Sequence, residues 1–130
     1  MLKALLNVVS FANCAGGVVL IVTWAAMWQR VPIIVLFIGA SLLIQGVYTI
    51  LYLQGALSRW GELATGAFFA GEGLAGFVGL GGLIAGIIHN VEHADMEMAP
   101  VLAGLLMATH ALLALFYLIA NHKLVTRTSP

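Results

Sequence analysis

The sequence predicts an all-α integral membrane protein, a bundle of four transmembrane helices forming a single domain over residues 1–130. Two observations carry this. Hydrophobic residues make up 62% of the chain and charged residues only 8%, against about 25% charged in an average soluble domain. Residues 4–29, 31–58, 73–91 and 98–122 contain no Asp, Glu, Lys or Arg. A bilayer core needs about 20 apolar residues of helix, and each run is about that long or longer.

The first helix is expected at about 4–28. Its apolar run is too long for a signal peptide and reads as a retained span. A polar stripe of Asn7, Ser10, Cys14 and Gly17 recurs at spacings of three and four, which places these residues on one helix face. Cys14 is the only cysteine, so it has no intrachain disulfide partner and reads as a small buried hydrophobe. Asn13 stands where a lipoprotein signal wants a small residue before the cysteine, and argues against that modification.

The second helix is expected at 32–54, with Pro32 in the first turn, where its missing N–H costs nothing. Its stripe is Ser41, Gln45, Tyr48 and Tyr52. The fourth is expected at 100–121, again with a first-turn proline, Pro100. Its stripe is Ala103, His110, Ala114, Tyr117 and Asn121. Hydrocarbon cannot satisfy these polar groups, so the stripes should face the bundle interior or a partner. They can be interhelical hydrogen bonds, or they can line a pathway or pocket.

The third helix, expected at 63–91, is the most unusual. Nine glycines lie between residues 61 and 86. In water each would cost roughly 1 kcal/mol relative to alanine. In a membrane, small residues let helix backbones approach closely. Gly71, Ala75 and Gly79 form a small-x-x-x-small run, Gly82 and Gly86 a G-x-x-x-G pair, and Gly76 falls on the seam between them. Gly71, Gly76, Gly79, Gly82 and Gly86 are therefore the expected packing residues, and glycines on other faces (Gly73, Gly81) imply contact with more than one helix.

Glu72 is the one carboxylate within this helix's apolar part. A charge there is costly unless paired, hydrated or neutralised. Counted back from an outer boundary near His89, it lies just inside the interface, where it could snorkel to water or pair with Arg59. Counted from Leu63, it lies deeper. His110 falls close to the midplane of the fourth helix, where an imidazole can bridge helices or relay protons. Gln45 lies at similar depth, with Tyr48 and Tyr117 one to two turns away. If the stripes face one another, Glu72, His110, Gln45, Tyr48 and Tyr117 can form one intramembrane polar cluster or ion pathway.

Basic residues set the expected orientation. Lys3, Arg59, Lys123 and Arg127 lie on one side. Arg30 lies on the other with Glu92, Asp95 and Glu97. Both termini are expected in the cytoplasm, in a bacterial cytoplasmic (inner) membrane, with Trp28 and Trp60 at opposite interfaces. On the outer side His89 and His93 are four residues apart and can share a helix face, a spacing that can hold zinc or copper. The string also matches H-x-x-E-H, but a peptidase of that type needs a soluble catalytic domain for which this chain has no room.

Zero net charge provides no basic footprint for nucleic acid. No catalytic constellation and no cofactor signature is evident. The first functional expectation is a non-catalytic membrane subunit, surrounded by lipid, packing through its glycine-rich third helix against copies of itself or other membrane subunits. The alternatives are a proton- or cation-coupled transporter or channel using Glu72 and His110, and a metal-binding membrane protein using His89 and His93.

Overall fold

A computed structural model of the chain describes residues 1–56, 61–94 and 96–128, with side chains described for 1–56, 61–63, 65–94 and 96–120. The described residues are all helical apart from short connections. The four helices are α1 (Leu2–Ala26), α2 (Ile33–Leu53), α3 (Gly61–His93) and α4 (Met98–Thr128). All four are long and apolar enough to cross a membrane. Expected boundaries agree within about two residues except at the end of α4, which runs on well past residue 121. Arg59, Trp60 and Asp95, and the side chains of Asn121, Lys123 and Arg127, lie outside the described residues.

Local chemistry explains the breaks. Proline at 32 disfavours helix at Val31, so α1, which stops at Ala26, cannot run on unbroken into α2. The chain then turns through Arg30 N–H to Met27 O (2.8 Å) and Val31 N–H to Met27 O (2.9 Å). Pro32 does not open α2 from within its first turn, as expected, but caps it in an extended conformation (ψ 146°). α2 ends in a glycine-based C-terminal motif. Gly55, at φ +75°, donates to Tyr52 O, and Ala56 donates to Leu51 O. This is the bond pattern that a left-handed residue after a helix permits. Between α3 and α4, Asn90 donates to Glu97 O (3.1 Å) and accepts from Glu97 N–H (3.2 Å), stapling the turn.

The helices form two hairpins, α1/α2 and α3/α4. The hairpins meet mainly through α1 and α4, and α2 and α3 touch over only a short length. Glycines set both hairpin crossings. A Cβ on Gly17 would lie 2.6 Å from Gly39 O, and one on Gly46 would lie 2.5 Å from Ser10 O. A Cβ on Gly79 would lie 2.5 Å from Met107 Cβ, and one on Gly104 would lie 2.6 Å from Gly79 O. Backbones this close leave room for short polar side chains to bridge.

Two apolar clusters hold the bundle. One contains Leu6, Leu53, Phe68, Ala114 and Leu118. The other contains Leu42, Ala103 and Met107, with Leu20, Ile38 and Ala75 against it. The outside is apolar too: Phe77 is 78% exposed and Ile44 67%. The buried polar residues lie between the two clusters, so the bundle is more polar in its middle than on its surface.

Candidate functional site

Each helix presents its polar residues at the same level. Along α1 the order is Leu6, Ser10, Asn13, Gly17, and all four are buried. Along α2 it is Leu42, Gln45, Thr49, Leu53. On α3 Glu72 follows Phe68, and on α4 His110 lies between Met107 and Ala114. Spacings of three and four keep each set on one face. Gln45 and His110 each lie about 18 Å from the start of their helices, at 1.5 Å per residue, roughly midway along the apolar lengths.

These six residues make one hydrogen-bonded network across all four helices. Gln45 Nε2 donates to Glu72 Oε2 (2.8 Å) and lies 3.3 Å from Met107 O. Thr49 Oγ1 donates to Glu72 Oε1 (3.1 Å). His110 Nδ1 lies 3.1 Å from Glu72 Oε2, and His110 Nε2 lies 2.9 Å from Ser10 Oγ. Ser10 Oγ donates to Leu6 O (2.7 Å). Asn13 Nδ2 donates to Gln45 Oε1 (2.9 Å). Glu72 is 3% exposed and His110 0%. Asn13 Oδ1 is buried without a partner.

The geometry limits where protons can be. The Ser10 hydroxyl has one hydrogen, and it points at Leu6 O. Ser10 Oγ therefore accepts from His110, which places a proton on Nε2. A proton must then also lie between Nδ1 and Glu72 Oε2, since a bare imidazole nitrogen facing a bare carboxylate oxygen is repulsive. That proton sits either on the carboxyl, opposite a neutral imidazole, or on Nδ1 in an ion pair. Both arrangements have zero net charge. Loss of the proton leaves Glu72 ionised. The ring must then carry its hydrogen on Nδ1, and the Ser10 hydroxyl must turn from Leu6 O toward Nε2. Proton release is thus mechanically tied to Ser10.

A cleft of about 360 Å³ opens where α2 and α3 diverge. It is lined by Ser41, Gln45 and Tyr48 on α2 and by Phe68, Gly71, Glu72 and Ala75 on α3, among others. The carboxylate network therefore reaches a cavity. Ser10, His110 and Glu72 also share the connectivity of a hydrolytic triad. Ser10, however, is fully buried, donates to a backbone carbonyl and is not among the cleft residues, so a substrate has no path to it.

The sequence-predicted cluster forms in part. Glu72, His110 and Gln45 bond directly. Tyr48 lines the cleft and stacks on Phe68 (centroids 5.5 Å apart). Tyr117 lies in a neighbouring aromatic group, edge-on to Tyr52. Glu72 does not snorkel toward an interface, because three side chains from α2 and α4 hold it inside the bundle. Sequence reasoning missed Asn13 and Thr49, and gave Ser10 no specific partner. The buried faces are Leu6–Ser10–Asn13–Gly17 and Leu42–Gln45–Thr49–Leu53, which share Ser10, Gly17 and Gln45 with the expected stripes and are turned from them by less than one residue.

Gly76, Gly79 and Gly86 pack against α4, near Ala111, Met107 and Val101. Gly71 and Gly82 differ: a Cβ at either would meet nothing within 4 Å. Gly71 is a wall of the cleft, because α2 leans away from α3 there. Gly82 lies on an outward part of α3. At the far end, the rings of His89 and His93 stack with centroids 4.3 Å apart, and His93 Nδ1 lies 3.0 Å from His89 O. Among the described residues no group of three His, Cys, Asp or Glu gathers to hold a metal ion. Comparison with protein-family models, curated proteins and solved structures finds no match for this chain.

Proposed function

We propose that this chain is a proton-coupled membrane transporter in which Glu72 and His110 hold the exchangeable proton. The observation that carries the reading is the contact of His110 Nδ1 with Glu72 Oε2 (3.1 Å), inside a network that reaches the cleft. A carboxylate in a transmembrane bundle is costly and usually marks an ion or proton pathway. Here Glu72 Oε2 and His110 Nδ1 are placed to share one proton, and a turn of the Ser10 hydroxyl would accompany its departure. The proposed placement is a bacterial cytoplasmic membrane with both termini in the cytoplasm, supported by the distribution of Lys and Arg. The test is proton flux in liposomes holding the purified protein and a trapped pH dye. Glu72→Gln should abolish the proton flux that a solute gradient drives, screened over a panel of small cationic, anionic and neutral solutes. Wild-type liposomes in which no solute of the panel moves protons, or unchanged flux in the variant, would end the reading.

A second reading, assembly through α3, is supported by a different observation. Gly66, Ala70, Gly73 and Gly81 lie along one exposed face of α3, and a Cβ at any of the three glycines would meet nothing within 4 Å. Small residues are favoured where transmembrane helices meet, and these have no partner helix among the described residues. Copies of the chain, or another membrane subunit, would cover this face. Gly73→Leu should then convert an oligomer to a monomer in mild detergent without unfolding it. A wild-type protein that is already monomeric would remove the reading.

A further inference from the structure

The cleft between α2 and α3 bears on what is transported. Its volume of about 360 Å³ falls within the range of small-molecule sites. The lining is mostly apolar: Ile44, Leu74, Ala75 and Val78 form much of it, and Tyr48 and Phe68 add two aromatic rings. The polar exceptions are Ser41, Gln45 and Glu72, and Glu72 is the only residue of the lining that can carry a full negative charge near neutral pH. Among the described residues no Lys, Arg or His lines the cleft.

We infer that the cleft binds a small organic monocation with a hydrophobic body, and that binding expels the proton shared by Glu72 and His110. This rests on the proton-coupled reading above. An anionic ligand would meet the carboxylate and find no cation to pair with. A neutral ligand would make no use of it. A cation with an apolar body satisfies both features of the cleft, and the half-buried Tyr48 adds an aromatic ring of the kind that attracts positive charge. Among the described residues Thr49 is the one donor bonded to Oε1 and two side chains meet Oε2, so Oε1 retains capacity for a ligand.

The charge balance sets the stoichiometry. With its shared proton the Glu72–His110 pair is neutral. A bound monocation that displaces the proton leaves an anionic Glu72 and a neutral His110 with its hydrogen on Nδ1, so the site is neutral again. One proton leaves for each cation bound. Other titratable groups near Glu72 are few. From α2, Tyr48 lines the same cleft. From α4, His110 faces Glu72. From α1, Ser10 and Asn13 reach the network, while Cys14 lies against Gly46.

The test uses an N-methylated styrylpyridinium dye, with its uncharged pyridine parent as the control at mildly alkaline pH. Calorimetric titration of the intact protein in lipid nanodiscs, repeated in buffers of different ionisation enthalpy, counts the protons released. The expected result is one proton per dye, with affinity falling about tenfold per unit drop in pH while the pair holds its proton. Glu72→Gln should weaken binding by about thirtyfold or more and abolish proton release. Gly71→Leu should block the cleft and abolish binding while leaving the infrared bands of the Glu72 carboxyl in place. Equal binding of the uncharged parent, or dye binding without proton release, would overturn the inference while leaving the proton-flux test of the transporter unaffected. Dye binding that survives Gly71→Leu would place the site elsewhere and overturn it as well.

Discussion

Replacing Glu72 separates its role as a hydrogen-bond acceptor from its role as a proton carrier. In Glu72→Gln the new amide nitrogen takes the place of Oε2 and donates to His110 Nδ1, with the imidazole neutral and its hydrogen on Nε2 toward Ser10. Gln45 Nε2, which now donates to Oε2 at 2.8 Å, would face another donor, so the Gln45 amide turns over and accepts instead. Asn13, now donating to Gln45 Oε1, turns over in response and accepts through Oδ1. Thr49 keeps its acceptor. The net loss is the 3.3 Å contact of Gln45 with Met107 O, where two oxygens now face each other, and one unpartnered atom on Asn13 is exchanged for the other. The cost should be about 1–2 kcal/mol.

Glu72→Leu cannot compensate in this way. It strands the donors of Gln45 and Thr49 and leaves His110 Nδ1 without its partner. Interhelical hydrogen bonds in membranes are worth on average about 0.6 kcal/mol and at most about 1.7, so the loss should be about 2–5 kcal/mol. Unfolding in mixed micelles with increasing ionic detergent, followed by circular dichroism, measures both variants against the wild type. The flux assay then reports function in the variant that stays folded. The Gln variant should be folded and inactive, and the Leu variant unstable. Equal destabilisation in both would mean that charge, not hydrogen bonding, holds the four helices together at this level.

Further outcomes follow from single contacts. Ser10→Ala removes the acceptor of His110 Nε2 and should cost about 1–3 kcal/mol and slow proton flux; an unchanged unfolding midpoint would show that the Ser10–His110 bond is not formed. Gly104→Ala places a Cβ 2.6 Å from Gly79 O and from Leu83 N, so it should pry α3 from α4 at a cost of about 1–3 kcal/mol. Gly81→Ala, with open space around it, should be neutral in the same unfolding assay. Ala94 has φ +47°, a conformation that costs a residue with a Cβ about 1–2 kcal/mol, so Ala94→Gly should raise the unfolding midpoint.

The sequence by itself determined the number, order and approximate ends of the helices. This follows from the physics of the chain: long uncharged runs form helices wherever backbone groups must bond internally, and Pro32 and Pro100 mark two of the starts. It also singled out Glu72, His110 and Gln45, because polar groups are conspicuous in apolar runs. It could not determine which polar residues meet. Stripes drawn through Cys14 and Tyr52 differ by only a small rotation from those through Asn13 and Thr49, and nothing within one helix distinguishes them. Only the tertiary structure decided the rotation, through the close crossings at Gly17–Gly39 and Gly79–Gly104. Those crossings bring the backbones near enough for short side chains to bridge, and so place Glu72 inside the bundle rather than at its edge. The divergence of α2 from α3 likewise made Gly71 a cavity wall instead of a packing residue, a difference set by how the two hairpins lean together and invisible in either helix alone.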